Sequence, residues 1–180
     1  SDTEVLLASY DCWGEDCVKR FNGMWSFVIF DVKKNILFCS RDRFGIKPFY
    51  YYSDEDKFIF ASEIKPILEI EKVETANLQT ILTFLIINVS DLSNETFFKN
   101  SYKLPGSHNL VYDLNTNHFS IYQYYEITFK QEINQLNLED SIQLFEKEFE
   151  KVINLQLRSD VKIGSALSSG LDSSYIASVA

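Results

Sequence analysis

Aromatic and β-branched residues occur in short runs over the first two thirds of the chain, and turn-forming residues separate the runs. This pattern predicts β-strands. The predicted strands are residues 24–31, 36–40, 49–52 and 58–61, with a further hairpin over residues 110–125. Turns are expected at residues 33–35, 54–56 and 115–117, which gives a meandering antiparallel sheet. Because residues 25–30 are almost continuously apolar, this strand is expected to be covered on both faces.

Helices are predicted before, between and after these strands. A helix over residues 2–13 and a shorter one ending near Phe21 precede them, and helical segments over residues 64–68 and 78–87 interrupt them. Residues 138–157 form the longest predicted helix, because apolar residues recur there at three- and four-residue steps. The recurring positions are Ile142, Phe145, Phe149, Val152 and Ile153.

The last forty residues have the order typical of a parallel α/β sheet: a helix, a short apolar strand over residues 161–167, a Gly-containing turn and a helix from Asp172 onward. The predicted fold class is therefore α+β followed by α/β. The predicted domains are residues 1–127 and 138–180, joined by a polar linker over residues 128–137. One parallel strand has no partner, so the second domain is expected to be incomplete.

Composition and charge narrow the function classes. Hydrophobic residues make up 46% of the 180, which is enough for a packed core. The formal net charge of −9, without a basic stripe, argues against nucleic acid or an anionic membrane as the partner. No run approaches the roughly 18 apolar residues of a membrane span. The odd number of cysteines (Cys12, Cys17 and Cys39) lacks disulfide-framework spacing, which indicates a reducing compartment, and we expect the cytoplasm.

The segment that carries chemistry is residues 167–174, with the sequence LSSGLDSS. It lies between a predicted strand and a predicted helix, where free backbone N–H groups and serine hydroxyls favour an anion such as phosphate. Gly170 lets the backbone approach a ligand closely. Asp172 fits beside a phosphate only if it orients a donor or meets a metal ion such as Mg²⁺. An ordinary helix N-cap explains the same residues, so both interpretations stay open at this point.

This loop resembles the pyrophosphate-binding loop of N-type ATP pyrophosphatases, which is usually written S-G-G-x-D-S. Ser169 stands at the place of the first glycine. If that position needs a positive φ or lies against the pyrophosphate, the serine side chain would weaken ATP binding.

The chain as a whole resembles the glutamine-hydrolysing asparagine synthetases, in which a class II glutamine amidotransferase domain precedes an ATP pyrophosphatase domain. The order and spacing of the matching blocks make the resemblance specific, and it spans nearly all 180 residues. The blocks are residues 1–6 (SDTEVL), 21–27 (FNGMWSF), 41–51 (RDRFGIKPFYY), 60–65 (FASEIK), 103–106 (KLPG), 157–164 (LRSDVKIG) and 168–173 (SSGLDS).

The resemblance implies the α-β-β-α sandwich of N-terminal nucleophile hydrolases. It also implies that ammonia released from glutamine converts a β-aspartyl-AMP intermediate, made with ATP and Mg²⁺, into asparagine. Glutamine, aspartate and ATP are the implied ligands, and a homodimer is the implied assembly. Asp2 matches the carboxylate that holds the α-amino group of glutamine. The implied ATP-binding residues are Leu167, Ser168, Ser169, Gly170, Leu171, Asp172 and Ser173, with Asp172 as a candidate Mg²⁺ contact through phosphate.

The same resemblance implies an internal fragment that lacks the N-terminal cysteine nucleophile and most of the synthetase domain. No cysteine of this chain matches the catalytic position, so the 180 residues alone are expected to be inactive. Two alternatives stay open. The parent protein could act on another carboxylate, as in β-lactam synthesis, or it could be a non-catalytic remnant that serves as a scaffold.

Overall fold

A computed structural model describes residues 1–54, 57–72, 75–89, 92–129 and 131–180. The chain forms two units, Ser1–Glu126 and Ile127–Ala180.

The first unit begins with a helix, as the sequence predicts. Helix α1 spans Asp2–Trp13, with Ser1 at its N-cap and the acidic residues Asp2 and Glu4 in its first turn. Carboxylates there are favourable because the N-terminal end of a helix carries a partial positive charge. A 3₁₀ helix, Gly14–Arg20, follows directly and buries Cys17 and Val18.

The strands of the first unit form two antiparallel sheets. Their bounds are β1 Ser26–Asp31, β2 Ile36–Arg41, β3 Tyr50–Ser53, β4 Phe58–Ala61, β5 Ser101–Lys103, β6 His108–Asp113 and β7 His118–Gln123. Sheet A has the order β1-β2-β6-β7 and sheet B the order β4-β3-β5. The antiparallel pairing of the predicted strands is confirmed. The single meander is wrong, because β2 pairs with β6 and β3 with β5, which gives two sheets. The turns at Asn35 and Asn117 are confirmed by the left-handed φ of both residues, 55° and 57°. Residues 55 and 56 of the third predicted turn lie outside the described residues.

Sheet A joins segments that are far apart in sequence. Strand β2 pairs with β1 on one side and with β6 on the other, where Ile36 is opposite Asp113. Next to this pair, Asn35 Nδ2 donates a hydrogen bond of 2.7 Å to Asn115 Oδ1, which links two turns 80 residues apart.

The two faces of sheet A are buried differently. Along β2, Cys39 faces sheet B and Phe38 faces α1, because successive side chains of a strand point to opposite faces. The core between the sheets is formed by Cys39, Phe49, Tyr51, Leu104, Leu110 and Tyr112. The core under α1 is formed by Cys17, Val18, Ile29 and Phe38, with Leu6 and Tyr10 of α1 packed against it.

Two helices follow sheet B's first hairpin. Helix α2, Ile64–Glu71, packs on β3 and β4 and buries Ile67 completely. Helix α3, Leu78–Ile87, begins at Asn77, whose side chain accepts a hydrogen bond from the backbone of Thr80. The layer order in the first unit is thus α1, sheet A, sheet B and α2.

The second unit is helical. Helix α4 spans Leu138–Gln156 and α5 spans Leu171–Val179, and the rings of Phe149 and Tyr175 stack at 4.7 Å between them. The strand predicted over residues 161–167 is wrong: this segment is irregular and exposed. An apolar run becomes a strand only when another strand pairs with it, and the described part of Ile127–Ala180 contains no second strand.

Three further details differ from the sequence predictions. Phe30 of β1 is 54% exposed, so the strand is covered on both faces only in its middle, at Val28 and Ile29. Strand β5 was not predicted, because three residues give no readable period. Part of the polar segment expected to be linker forms a short 3₁₀ helix, Ile133–Gln135.

Candidate functional site

Asp2, the candidate glutamine contact, is the first residue of α1 and is exposed. Because Ser1 occupies the N-cap position, Asp2 is not itself the cap. Its carboxylate lies in the first helical turn, where the helix dipole favours an anion. This geometry leaves the carboxylate accessible to a cationic group such as an α-ammonium.

A buried carboxylate organises the loop after β2. Asp42 is almost fully buried, and its two oxygens accept hydrogen bonds of 2.9–3.1 Å from the backbone N–H groups of Phe44, Ile46 and Lys47. Hydrogen bonds to a buried carboxylate stabilise the surrounding backbone, because a buried N–H group or carboxylate oxygen without a partner would raise the free energy of the folded state. Asp42 is therefore a structural residue that fixes the loop.

Arg41 completes the same loop from the other side. Its guanidinium donates hydrogen bonds to the carbonyl oxygens of Lys47, Gly45 and Leu104 at 2.6–2.7 Å. Gly45 has a left-handed φ of 64°, and a Cβ there would lie 3.2 Å from Arg41 Cζ. A Cβ on Gly106 would lie 2.8 Å from the Gly45 nitrogen, so close packing requires glycine at position 106, while the left-handed φ favours glycine at position 45. The geometry of this loop thus explains the adjacent charged residues Arg41 and Asp42.

The candidate ATP loop lies in the second unit and is held by serine hydroxyls. Ser168 Oγ and Ser173 Oγ are 2.7 Å apart, and Ser168 Oγ also accepts a hydrogen bond from the backbone N–H of Gly170. Ser174 Oγ donates to the carbonyl oxygen of Gly170 at 2.9 Å. Gly170 is the N-cap of α5, and all residues from Leu167 to Asp172 are exposed.

The residues of this loop fit a phosphate group. The free N–H groups in the first turn of α5 are donors for an anion. In this structure the hydroxyls of Ser173 and Ser174 donate to backbone carbonyl oxygens, so they would have to rotate to reach a phosphate. Ser169 is not among the residues with positive φ, so its backbone needs no glycine in this conformation. Asp172 in the first turn of α5 would repel a bare phosphate, whereas a metal ion between them would remove the repulsion. Among the described residues, no group of three or more His, Cys, Asp or Glu side chains is placed to hold a metal ion.

The predicted site residues fall in separate units. Asp2 belongs to Ser1–Glu126, whereas Leu167–Ser173 belong to Ile127–Ala180. The loop residues are close to one another, as their hydrogen bonds show.

The structure also contains a cavity that sequence reasoning missed. It has a volume of about 630 Å³ and lies at one end of the two sheets, where β3, β5 and the turn between β6 and β7 meet. Burial raises the pKa of the Tyr51 hydroxyl in its wall to about 12, and the neighbouring Tyr102 adds to the shift. No sequence signal links these segments, because they are distant along the chain.

Known families match both parts of the chain. A family model for the glutamine amidotransferase domain matches residues 1–125. The chain belongs to this family. A second family model, for asparagine synthase, matches residues 144–180.

Relatives match over the whole chain. A Methanocaldococcus jannaschii protein provisionally named asparagine synthetase [glutamine-hydrolyzing] 2 is 43% identical, over 99% of this chain and 35% of the relative. Asparagine synthetase [glutamine-hydrolyzing] 3 of Bacillus subtilis is 35% identical, over 100% of this chain and 29% of the relative. This amidotransferase-family chain therefore spans about a third of the length of these relatives. The resemblance identified from the sequence blocks is confirmed.

One solved structure also aligns with nearly the whole chain. The glutamine phosphoribosylpyrophosphate amidotransferase from B. subtilis, complexed with ADP and GMP, gives a TM-score of 0.45 at 13% identity. The alignment covers 99% of this chain and 37% of that chain.

None of the helices in the described part of the chain has the length and apolarity needed to cross a membrane.

Proposed function

We propose that this chain is part of a glutamine-dependent asparagine synthetase. The enzyme would make asparagine from aspartate and ATP through β-aspartyl-AMP, with ammonia taken from glutamine. The observation that carries the proposal is the order of the two family matches on one chain: glutamine amidotransferase over residues 1–125 and asparagine synthase over residues 144–180. Because both domains belong to one polypeptide, ammonia released by the amidotransferase domain could be used directly by the synthetase domain.

The layer order of the first unit supports an N-terminal-nucleophile-hydrolase type of sandwich. Sheets A and B share one core, α1 covers sheet A and α2 covers sheet B, which is the α-β-β-α order expected from the resemblance. The second unit would then be the beginning of an ATP pyrophosphatase domain, with its strands supplied by other parts of the full-length protein.

Two sites would divide the chemistry. Asp2 would hold the α-amino group of glutamine through an ion pair, which its exposed position in the first turn of α1 allows. The loop over residues 167–173 would hold the phosphates of ATP with serine hydroxyls and backbone N–H groups. Mg²⁺ bound to the phosphates would bring Asp172 into a favourable contact. We also propose a cytoplasmic enzyme that forms a homodimer.

The test uses the full-length gene product and measures AMP release in the presence of aspartate and ATP. With either glutamine or ammonia as nitrogen source, AMP and asparagine should form in equal amounts. If AMP forms with a different carboxylate and not with aspartate, the acceptor is another acid. If no AMP forms with either nitrogen source, the proposal is wrong and the scaffold interpretation takes its place.

Two variants separate the proposed sites. Asp2→Asn should abolish glutamine-dependent synthesis and leave ammonia-dependent synthesis intact, because it affects only glutamine binding. Ser173→Ala should lower both activities, because it acts on the ATP loop. Asp11→Asn, an exposed aspartate on the same helix as Asp2, is the matched control and should keep both activities. Equal loss of both activities in Asp2→Asn would contradict the role given to Asp2.

A further inference from the structure

The cavity at the end of the two sheets has three aromatic walls. Tyr51 of β3 is buried at its base, and its ring lies 5.5 Å from the ring of Tyr102 and 5.8 Å from that of Phe119. Phe119, at the start of β7, is partly exposed and forms the outer wall. The volume of about 630 Å³ lies within the size range of small-molecule sites.

The rim of the cavity is polar and carries one carboxylate. Asp54, which follows β3, lines the cavity together with the turn residues Asn117 and His118. The Asp54 carboxylate accepts hydrogen bonds from the Tyr52 hydroxyl and from the backbone N–H of Lys57, which hold it in place. No lysine or arginine is among the described residues that line the cavity. The lining therefore favours a positive charge over a negative one.

We propose that this cavity binds a small organic cation, with the apolar body of the ligand against Tyr51, Tyr102 and Phe119 and its ammonium group towards Asp54. Aromatic faces attract cations through their quadrupole, and a carboxylate at the rim adds a direct charge interaction. An anion such as a nucleotide phosphate finds no cationic partner in the lining. The site is therefore distinct in chemistry from the ATP loop, and the proposal does not depend on the proposed function.

Three phenols of similar size test the charge preference. Tyramine is a cation, tyrosol is neutral and 4-hydroxyphenylacetate is an anion, and their binding to the full-length protein can be compared by calorimetry or ligand-observed NMR. The measurement is made at about pH 8, where histidine side chains ordinarily carry no charge. Tyramine should bind roughly two- to fivefold more tightly than tyrosol, which is the effect of one exposed ion pair with Asp54. The anion should bind most weakly.

Two variants locate the binding. Phe119→Ala removes an aromatic side chain that packs against the apolar body of the ligand, and it should weaken tyramine binding at least about twofold. His118→Lys places a positive charge on the exposed turn, where it adds no core volume, and should reverse the preference between tyramine and 4-hydroxyphenylacetate.

Matched controls separate local from general effects. Phe129→Ala removes an aromatic side chain that is 91% exposed and outside the cavity, and Gln143→Lys adds the same charge on α4. Both should bind like the wild type. Equal affinity for the three phenols, or an unchanged preference in His118→Lys, would overturn the proposal even if Phe119→Ala fails to fold.

Discussion

Arg41 Nη1 donates a hydrogen bond of 2.6 Å to the carbonyl oxygen of Leu104, which is 63 residues away in sequence. Leu104 is fully buried, and its own N–H donates to the carbonyl oxygen of Phe49 at 3.0 Å. One guanidinium thus ties the end of β2 in sheet A to the segment that follows β5 in sheet B. Its further bonds to Gly45 and Lys47 hold the loop between the sheets.

Replacing Arg41 by lysine tests this link. Lysine keeps the charge but loses the planar fork, so it cannot satisfy three carbonyl oxygens that lie in different directions. Arg41→Lys should lower the free energy of unfolding by about 1–3 kcal/mol. Urea unfolding followed by circular dichroism measures the change. Arg158→Lys, at an exposed position, is the control and should stay within about 0.5 kcal/mol of the wild type. Equal stability of the two variants would show that the fork geometry is unimportant.

The ionised carboxylate of Asp31 should stabilise the first unit, and this contribution should be lost in acid. Its pKa lies below the ordinary value, chiefly because the backbone N–H of Lys34 donates to the carboxylate, with smaller contributions from the Tyr10 hydroxyl and the Lys33 N–H. A lowered pKa in the folded state means that folding favours the ionised form. Its contribution is present above the unfolded pKa of about 3.9 and is lost as the pH falls through the lower folded value.

The measurement compares urea midpoints at about pH 6 and about pH 3. Asp31→Asn should lose less stability between these pH values than the wild type, because asparagine does not titrate. Asp11→Asn, an exposed aspartate on α1, should keep the wild-type difference. If Asp31→Asn loses as much stability in acid as the wild type, the hydrogen bonds to Asp31 do not stabilise the fold.

Two isoleucines on α2 provide a matched pair for the packing of this helix on sheet B. Ile67 is completely buried, whereas Ile70 is 63% exposed. Ile67→Ala should cost about 2–5 kcal/mol, because it removes transfer energy and leaves a cavity. Ile70→Ala should change stability by less than about 1 kcal/mol. Similar costs for the two variants would mean that α2 does not pack through Ile67.

Ser169 should be compatible with ATP binding. Its backbone does not adopt a positive φ, so a glycine is not needed for conformational reasons. In the full-length protein, Ser169→Gly should change the dissociation constant for ATP by less than about threefold, equivalent to well under 1 kcal/mol. Isothermal titration calorimetry measures it, with Ser165→Gly as the control in the same exposed segment. Binding tightened tenfold or more would show that the serine side chain obstructs the phosphates.

The helices and hairpins of the first unit could be predicted because their signals are local. Helix α3 begins and ends where the sequence predicts, between Asn77 and Asn88, and both asparagines cap it. The turn at Asn35 is readable because asparagine tolerates the left-handed conformation that the hairpin requires. Such features depend on residues that are close together in the sequence.

The remaining features could not be predicted because they depend on distant partners. The apolar run over residues 161–167 has the composition of a strand. A strand forms only beside a second strand, and the composition of one segment does not show whether a second strand is present. Asp42 gives no signal of its role in the sequence, because burial is what turns its carboxylate into the acceptor for three backbone amides of its own loop. The cavity joins Tyr51, Tyr102 and Phe119, which only the finished sheets bring together.

The pairing of β2 with β6 also sets the order in which the first unit can fold. The β1–β2 and β6–β7 hairpins close over a few residues and can form within microseconds. Joining them closes the segment between the paired residues Ser40 and Asn109, and the entropic cost of that closure comes before the shared core forms. Because this non-local pairing must overcome the entropy of closing a long loop, we expect the meeting of β2 and β6 to be the slow step in forming sheet A.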